Sequence, residues 1–369
     1  MTRVAIAALA ALLLSVGVAE AQIDSLNVQK GTLTGASFRL ENGTVMSDVK
    51  IAYETYGRLA ADGRNAILMS PGFTTSHRFV GNQESNEEAS WGALIGPAKA
   101  IDTDKFFVVS VAHLGSSFGS TNPADINPAT GKQYGPDFPD VRAADMVNAQ
   151  KAVLDRLGVK HLVAVVAQSY GGRHAFQWGV TYPDFMDGLV PVETSPKDPR
   201  GQAGVESLAR QLAKDPNWNN GWYYDKGGIP TVLTEMRVAT LKAYGIDEKL
   251  AGRFPDKAQR EAEIVRLSRA WATKMDGNSL VVLRRANVGF DAEKDFDRIK
   301  AKVLYVLSRT DKSFPPSLAP EVMGKLRAAS VTADYFEIDS EFGHGSAFVD
   351  APKWAHRLQS FLSELQTAK

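Results

Sequence analysis

Three residues able to cooperate in acyl-transfer chemistry stand in order along the chain: Ser169, Asp311 and His344. A serine hydroxyl is a poor nucleophile at neutral pH, so a neighbouring imidazole must take its proton as it attacks. A carboxylate then fixes the imidazole tautomer and stabilises the imidazolium that forms. Ser169 sits in Ala167-Gln168-Ser169-Tyr170-Gly171, after the apolar run 161–167 and before a helix-compatible stretch. That order predicts a nucleophile elbow, in which a sharp turn between strand and helix holds the serine in a strained, exposed position. Small residues must flank it, because the two backbones pass close together. Ala167 and Gly171 meet that need and Gly172 adds room, although alanine replaces the first glycine of the usual G-x-S-x-G pattern. A buried strand and Gly-rich turn with an incidental serine would read similarly. What decides is whether an acid and a histidine follow in order.

They do, and each follows a strand. The apolar segment 302–308 leads into Arg309-Thr310-Asp311, and 334–339 leads into Ser340-Glu341-Phe342-Gly343-His344. Further strands are expected at 50–56, 65–70, 106–111 and 188–193, and a helix at 140–157 with Val147, Leu154 and Leu157 on one face and Gly158 as its stop. Strands alternating with helices imply a mostly parallel sheet covered on both faces. The three residues then share the carboxyl edge of that sheet, in the Ser-acid-His order of an α/β-hydrolase fold. Between 194 and 300 the chain is helical, charged and aromatic, with Trp218, Trp222, Tyr223, Tyr224 and Trp271. We read this stretch as a helical cap inserted over the strand ends, where ligands of such sheets bind. Ordinary packing helices are the alternative.

A tetrahedral intermediate needs two donors for its oxyanion. The backbone N–H of Tyr170, directly after the nucleophile, is one. The other is expected from the loop Pro71-Gly72-Phe73-Thr74, at the Phe73 N–H. Competing residues are present. Glu193 also follows a strand and could be the acid, but Asp311 holds the usual chain position. His113 precedes the serine, His77 could line the pocket or be a plain loop residue, and His174 reads as structural. His161 and His356 have no acid or serine context. No histidine pair or acid cluster shows metal-ligand spacing. The Gly-rich pieces lack the marks of a phosphate-binding loop or a dinucleotide fold. No cofactor and no metal are expected.

The chain has 369 residues, 44% apolar and 23% charged, enough for a sizeable core. Lys+Arg and Asp+Glu both number 42, so nothing favours capture of nucleic acid or an anionic membrane. There is no cysteine, which removes disulfides, thiolate metal sites and a cysteine nucleophile. Arg3, the apolar run 4–18 and Ala19-Glu20-Ala21 read as a secretory signal peptide over 1–21. That run is short for a membrane span, which needs about 20 residues. The expected organisation is a core over 22–194, the cap over 195–300 and the rest of the core over 301–369, in a periplasmic or secreted protein. A small-molecule acyl substrate is the expected partner, with a homodimer through the cap as the candidate assembly.

Several segments resemble the homoserine O-acetyltransferases of the α/β-hydrolase superfamily. They are Ile126 to Pro139, Asp145-Met146-Val147-Asn148-Ala149-Gln150, Gly171-Gly172 with Tyr182-Pro183-Asp184, Asp215-Pro216-Asn217-Trp218, Asp311 with Phe314-Pro315-Pro316, and Gly343-His344 with Ala347-Phe348. The resemblance implies a triad of Ser169, Asp311 and His344, with oxyanion donors at Phe73 and Tyr170. The chain departs from the family at the elbow, at the oxyanion loop and in the cap, where Met275-Asp276-Gly277-Asn278-Ser279 stands near the usual substrate motif. Two activities share an acyl-serine intermediate: hydrolysis of a carboxylic ester, and acyl transfer from a thioester to an alcohol. Export would separate the enzyme from acyl-CoA, and so favours hydrolysis. A non-catalytic binding protein on the same fold is the third reading, and the intact Ser-Asp-His order stands against it.

Overall fold

The computed structural model describes residues 27–81 and 90–367. The expected signal segment 1–21 lies outside the described residues. Eight strands form one sheet: β1 (Gln29–Arg39), β2 (Val45–Tyr56), β3 (Ala66–Ser70), β4 (Phe107–Val111), β5 (Leu162–Gln168), β6 (Met186–Val192), β7 (Lys302–Ser308) and β8 (Ala333–Ile338). Their spatial order is β1-β2-β4-β3-β5-β6-β7-β8. β1 and β2, and β2 and β4, pair antiparallel, and every other pairing in the sheet is parallel. β3 and β4 are buried at every residue and β5 at all but Gln168, as strands covered on both faces must be.

β1 is the strand that sequence reasoning missed. It forms the sheet edge, most of its residues are exposed or half-buried, and its apolar residues are sparse, so no periodic apolar run marks it. One helix begins later than its sequence pattern. α1 spans Ala143–Leu157 rather than starting at 140, because the Asp145 carboxylate caps the backbone N–H of Arg142 at 2.8 Å and also accepts that of Glu41 at 2.8 Å. α1 ends at Gly158, where φ is +83°. Glycine takes that left-handed conformation without strain.

One face of the sheet packs against α1 and α2 (Tyr170–Thr181), through Val147, Val153, Phe176 and Trp178. The other face packs against Trp91 and the C-terminal helix Pro352–Thr367, through Trp354, Leu358, Phe361 and Leu362. Between β6 and β7 run α3 (Gly201–Leu212), α4 (Pro230–Ala243), α5 (Ile246–Ala251), α6 (Lys257–Ala272) and α7 (Gly277–Arg285). Leu208, Leu212, Trp218, Tyr223, Leu233 and Trp271 give this insertion its own apolar cluster. It sits on the carboxyl edge of the sheet. Arg237 Nη1 donates to Thr74 Oγ1 at 2.9 Å, Trp271 Nε1 to Thr74 O at 3.1 Å, and the Tyr170 hydroxyl to Leu283 O at 2.9 Å.

Trp354 ties the second core layer to the segment after His344. It is fully buried, meets Trp91 edge-on at 5.7 Å between centroids, and donates from Nε1 to Ala347 O at 2.8 Å. Trp354→Ala should cost about 3–5 kcal/mol, read as a lower urea midpoint at unchanged slope.

Candidate active site

The elbow is built by strain and by close approach. Ser169 has φ +58° and ψ −117°, a conformation that costs a non-glycine residue about 1–3 kcal/mol and persists only where its surroundings impose it. The neighbouring strand imposes it here. Ser169 N donates to Val192 O at 2.9 Å, and the Thr194 hydroxyl donates to Ser169 O at 2.6 Å. A Cβ on Gly171 would lie 2.2 Å from Ser70 O, and one on Gly172 would lie 2.6 Å from Thr194 Cγ2. Both positions therefore exclude a side chain. Ala167 at the strand end is fully buried and fits.

The three residues in question meet at this turn. The Ser169 hydroxyl donates to His344 Nε2 at 2.8 Å, and His344 Nδ1 donates to Asp311 Oδ2 at 2.7 Å. Asp311 Oδ1 accepts the backbone N–H groups of Ser313 at 2.7 Å and Phe314 at 3.1 Å. A carboxylate on Nδ1 keeps the proton there and leaves Nε2 free to accept one. The two loops that carry these residues are bound to each other. Ser308 Oγ donates to Gly343 O at 2.9 Å, and Gly343 N donates to Thr310 Oγ1 at 3.0 Å. Tyr244 from the insertion and Phe314 flank the imidazole at 5.1 and 5.5 Å between ring centroids.

Glu193, the competing acid, is close but engaged elsewhere. Its Oε1 accepts Ala347 N at 3.1 Å, and its Oε2 accepts the Gln168 amide, which also donates to His344 O at 2.9 Å. Complete burial first, and then the charge of Asp311, pushes its carboxyl well above the ordinary range. Glu193, Asp311 and His344 bring ligand-type atoms within 4.8 Å of one another, and each of these groups is already committed to the hydrogen bonds just described. Gln168 was not singled out as a site residue from the sequence. It sits at the variable position of the elbow pattern, which carries no signal of its own.

Tyr170 opens α2, so its N–H has no acceptor within the helix. Phe73 lies on the loop that lines the serine pocket together with Gly72, Thr74 and Thr75. Two histidines that are out of order for a triad support that loop. His113 Nε2 donates to Pro71 O at 2.9 Å. Ser70 Oγ accepts the Gln150 amide at 3.0 Å and lies 3.3 Å from His174 Nδ1. Burial lowers His113 to about 4 and His174 well below its usual range, so both are neutral at pH 7. His77 is buried in a short helical turn and lowered by burial to about 3. His161, expected to lack an acid, instead bonds Asp187 Oδ1 at 2.8 Å. The two sit at the amino ends of β5 and β6, far from the carboxyl edge. His356 packs edge-on against Phe336 at 5.9 Å.

Residues 65–351 match the family model of the alpha/beta hydrolase fold. A homoserine O-acetyltransferase of Symbiobacterium thermophilum is 35% identical over 352 residues, covering 89% of this chain and 92% of its own. The structure of esterase E22 superposes with a TM-score of 0.80 at 28% identity, over 91% of this chain and 100% of that one. The homoserine O-acetyltransferase from Bacillus anthracis gives 0.79 at 26%, over 91% and 97%. The architecture is thus that of an α/β-hydrolase-fold enzyme. Within that superfamily the chain belongs to the homoserine O-acetyltransferase family.

The buried histidines make stability depend on pH. His77, His113 and His174 have native pKa values below the unfolded value of about 6.5, so below that pH the unfolded chain binds protons that the native chain refuses. Stability is full above pH 6.5 and falls as pH drops toward 4, by about 3 kcal/mol from His113 alone. Melting temperature measured across this window should fall, and His113→Gln should flatten the decline.

Proposed function

We propose that the protein is a serine hydrolase that cleaves a carboxylic ester through an acyl-serine intermediate. The observation that carries this reading is the hydrogen-bonded row Ser169–His344–Asp311, whose Ser169 and His344 line a pocket of about 30 Å³. Ser169 Oγ attacks the ester carbonyl while His344 Nε2 accepts its proton. Asp311, held by two backbone N–H groups, stabilises the imidazolium. The N–H groups of Phe73 and Tyr170 receive the oxyanion. His344 then protonates the departing alcohol and next deprotonates a water that attacks the acyl-serine. The acid leaves and Ser169 regains its proton. Every atom comes from the ester and one water.

The departures at the elbow, oxyanion loop and cap support hydrolysis over transfer. So does the signal-like segment 1–21, because an exported enzyme would not meet acyl-CoA; we place the protein in the periplasm or outside the cell. A second reading, acyl transfer to an alcohol, is favoured by the 35% identity to a homoserine O-acetyltransferase. Release of p-nitrophenol from short-chain p-nitrophenyl esters separates the two. The hydrolase turns them over with water alone, at a rate that added homoserine does not change. Transfer to homoserine with no background hydrolysis would reverse the assignment.

The roles of the two acids are separable. Asp311→Asn should lower kcat by about 10⁴-fold, because the imidazole tautomer is no longer held. Glu193→Gln, which copies a protonated carboxyl, should keep most of the activity. It should also raise stability more at pH 8 than at pH 5, because native Glu193 resists an ionisation that the unfolded chain undergoes above about pH 4.3. The opposite ranking of the two variants would make Glu193 the triad acid.

A further inference from the structure

A second cavity, of about 330 Å³, opens beside the serine pocket and shares Phe73, Thr74, Arg237 and Tyr244 with it. Arg200 and Arg284 complete a wall that carries three guanidinium groups. Among the described residues no Asp or Glu lines either cavity. The guanidinium groups are braced. Arg237 is buried and lies over the Trp271 ring at 4.9 Å, and Arg284 lies over the Phe73 ring at 4.7 Å. Gly204 leaves them room, since a Cβ there would come within 2.9 Å of Arg200 Cβ and 3.6 Å of Arg284 Cδ.

The charge around this wall is unbalanced. Asp198 Oδ1 is shared by Arg173 at 3.0 Å and Arg200 at 3.4 Å, so one carboxylate serves two guanidinium groups. Among the described residues Arg284 Nε has no hydrogen-bond partner. Burial, and then repulsion from Arg200, lowers Arg284 to about 10, which leaves it charged at neutral pH. Concave cavities with converging polar groups are where proteins bind small ligands. A guanidinium matches a carboxylate in charge and in planar donor geometry. An amino acid brings an ammonium as well, and in this cavity that ammonium would meet cations and no carboxylate.

We propose that this cavity binds the carboxylate of an ester that carries no neighbouring ammonium, with Arg284 and Arg200 as the residues that select it. The inference rests on the hydrolase reading for its chemistry and not for its binding. Two measurements test it. In the first, melting temperature is followed at low ionic strength with succinate or with neutral succinamide. Succinate should raise it and succinamide should not, and Arg284→Met should abolish the difference.

In the second, kcat/KM is compared for 4-nitrophenyl hydrogen succinate against its methyl ester, and for 4-acetoxybutanoate against its methyl ester. The first pair places the charge on the acyl side and the second on the alcohol side. The charged ester should win by about 10-fold or more in one pair, as a charge-assisted hydrogen bond allows. The ratio should fall toward one in Arg284→Met and, less steeply, in Arg200→Gln. O-acetylhomoserine should be cleaved less efficiently than 4-acetoxybutanoate. A ratio at or below one in both pairs, or a ratio unchanged in both variants, overturns the proposal. If no ester is cleaved at all, the hydrolase reading fails and the binding measurement decides alone: a succinate shift lost in Arg284→Met supports the anion site, and no shift overturns it.

Discussion

The carbonyl oxygen of Ser70 occupies the space that a side chain on Gly171 would need. That single close approach organises the site. It lets the strand that carries Ser169 turn into α2 within one residue, and it seats the start of the loop that carries Phe73 directly on the turn. The left-handed backbone of Ser169 is the cost of this turn. Its own N–H and C=O, bound to Val192 and Thr194, hold it there. A looser turn would lower the strain and withdraw the hydroxyl from His344.

Around the turn, most buried titratable groups are kept neutral. His113 and His174 are too deeply buried to protonate near pH 7, and they serve the loop as dipoles rather than as acids or bases. Glu193 is likewise a poor anion. This matters for the mechanism, because a second carboxylate charge beside Asp311 would compete for the imidazolium. The Gln168 amide binds Glu193 and the backbone of His344 together, so the unusual elbow residue helps to set the height of His344. On the insertion side the balance reverses, and guanidinium groups gather around a cavity lined by no described acid. Neutral buried groups thus lie beneath the serine and guanidinium groups beside it.

Most of the parallel strands were legible in the sequence because they are apolar runs of the right length that end at a turn. β7 could be recognised in this way, and with it the position of Asp311; β8 mixes Asp334 and Glu337 with Tyr335, Phe336 and Ile338 and is largely half-buried, yet it still reads as the strand that leads to His344. β1 was not, since an exposed edge strand needs no apolar face. The elbow was legible because its small residues answer a backbone requirement that few other structures have. The division of labour between Asp311 and Glu193 was not, as both follow strands and only the three-dimensional approach to His344 Nδ1 separates them. Arg237 and Arg284 lie on helices, and Tyr244 just after one, where residues read as ordinary surface or packing positions; the close fit of the insertion over the sheet edge is what brings Arg237 and Tyr244 to the serine pocket and Arg284 to the cavity beside it.

The proposed mechanism requires Ser169 to be an activated nucleophile. Reaction with a fluorophosphonate, followed by mass spectrometry of the peptides, tests this without knowledge of the natural ester. One adduct per chain, located on Ser169 and absent from a folded His344→Ala variant, is the predicted result. An unlabelled protein, or an adduct on another residue, would contradict it.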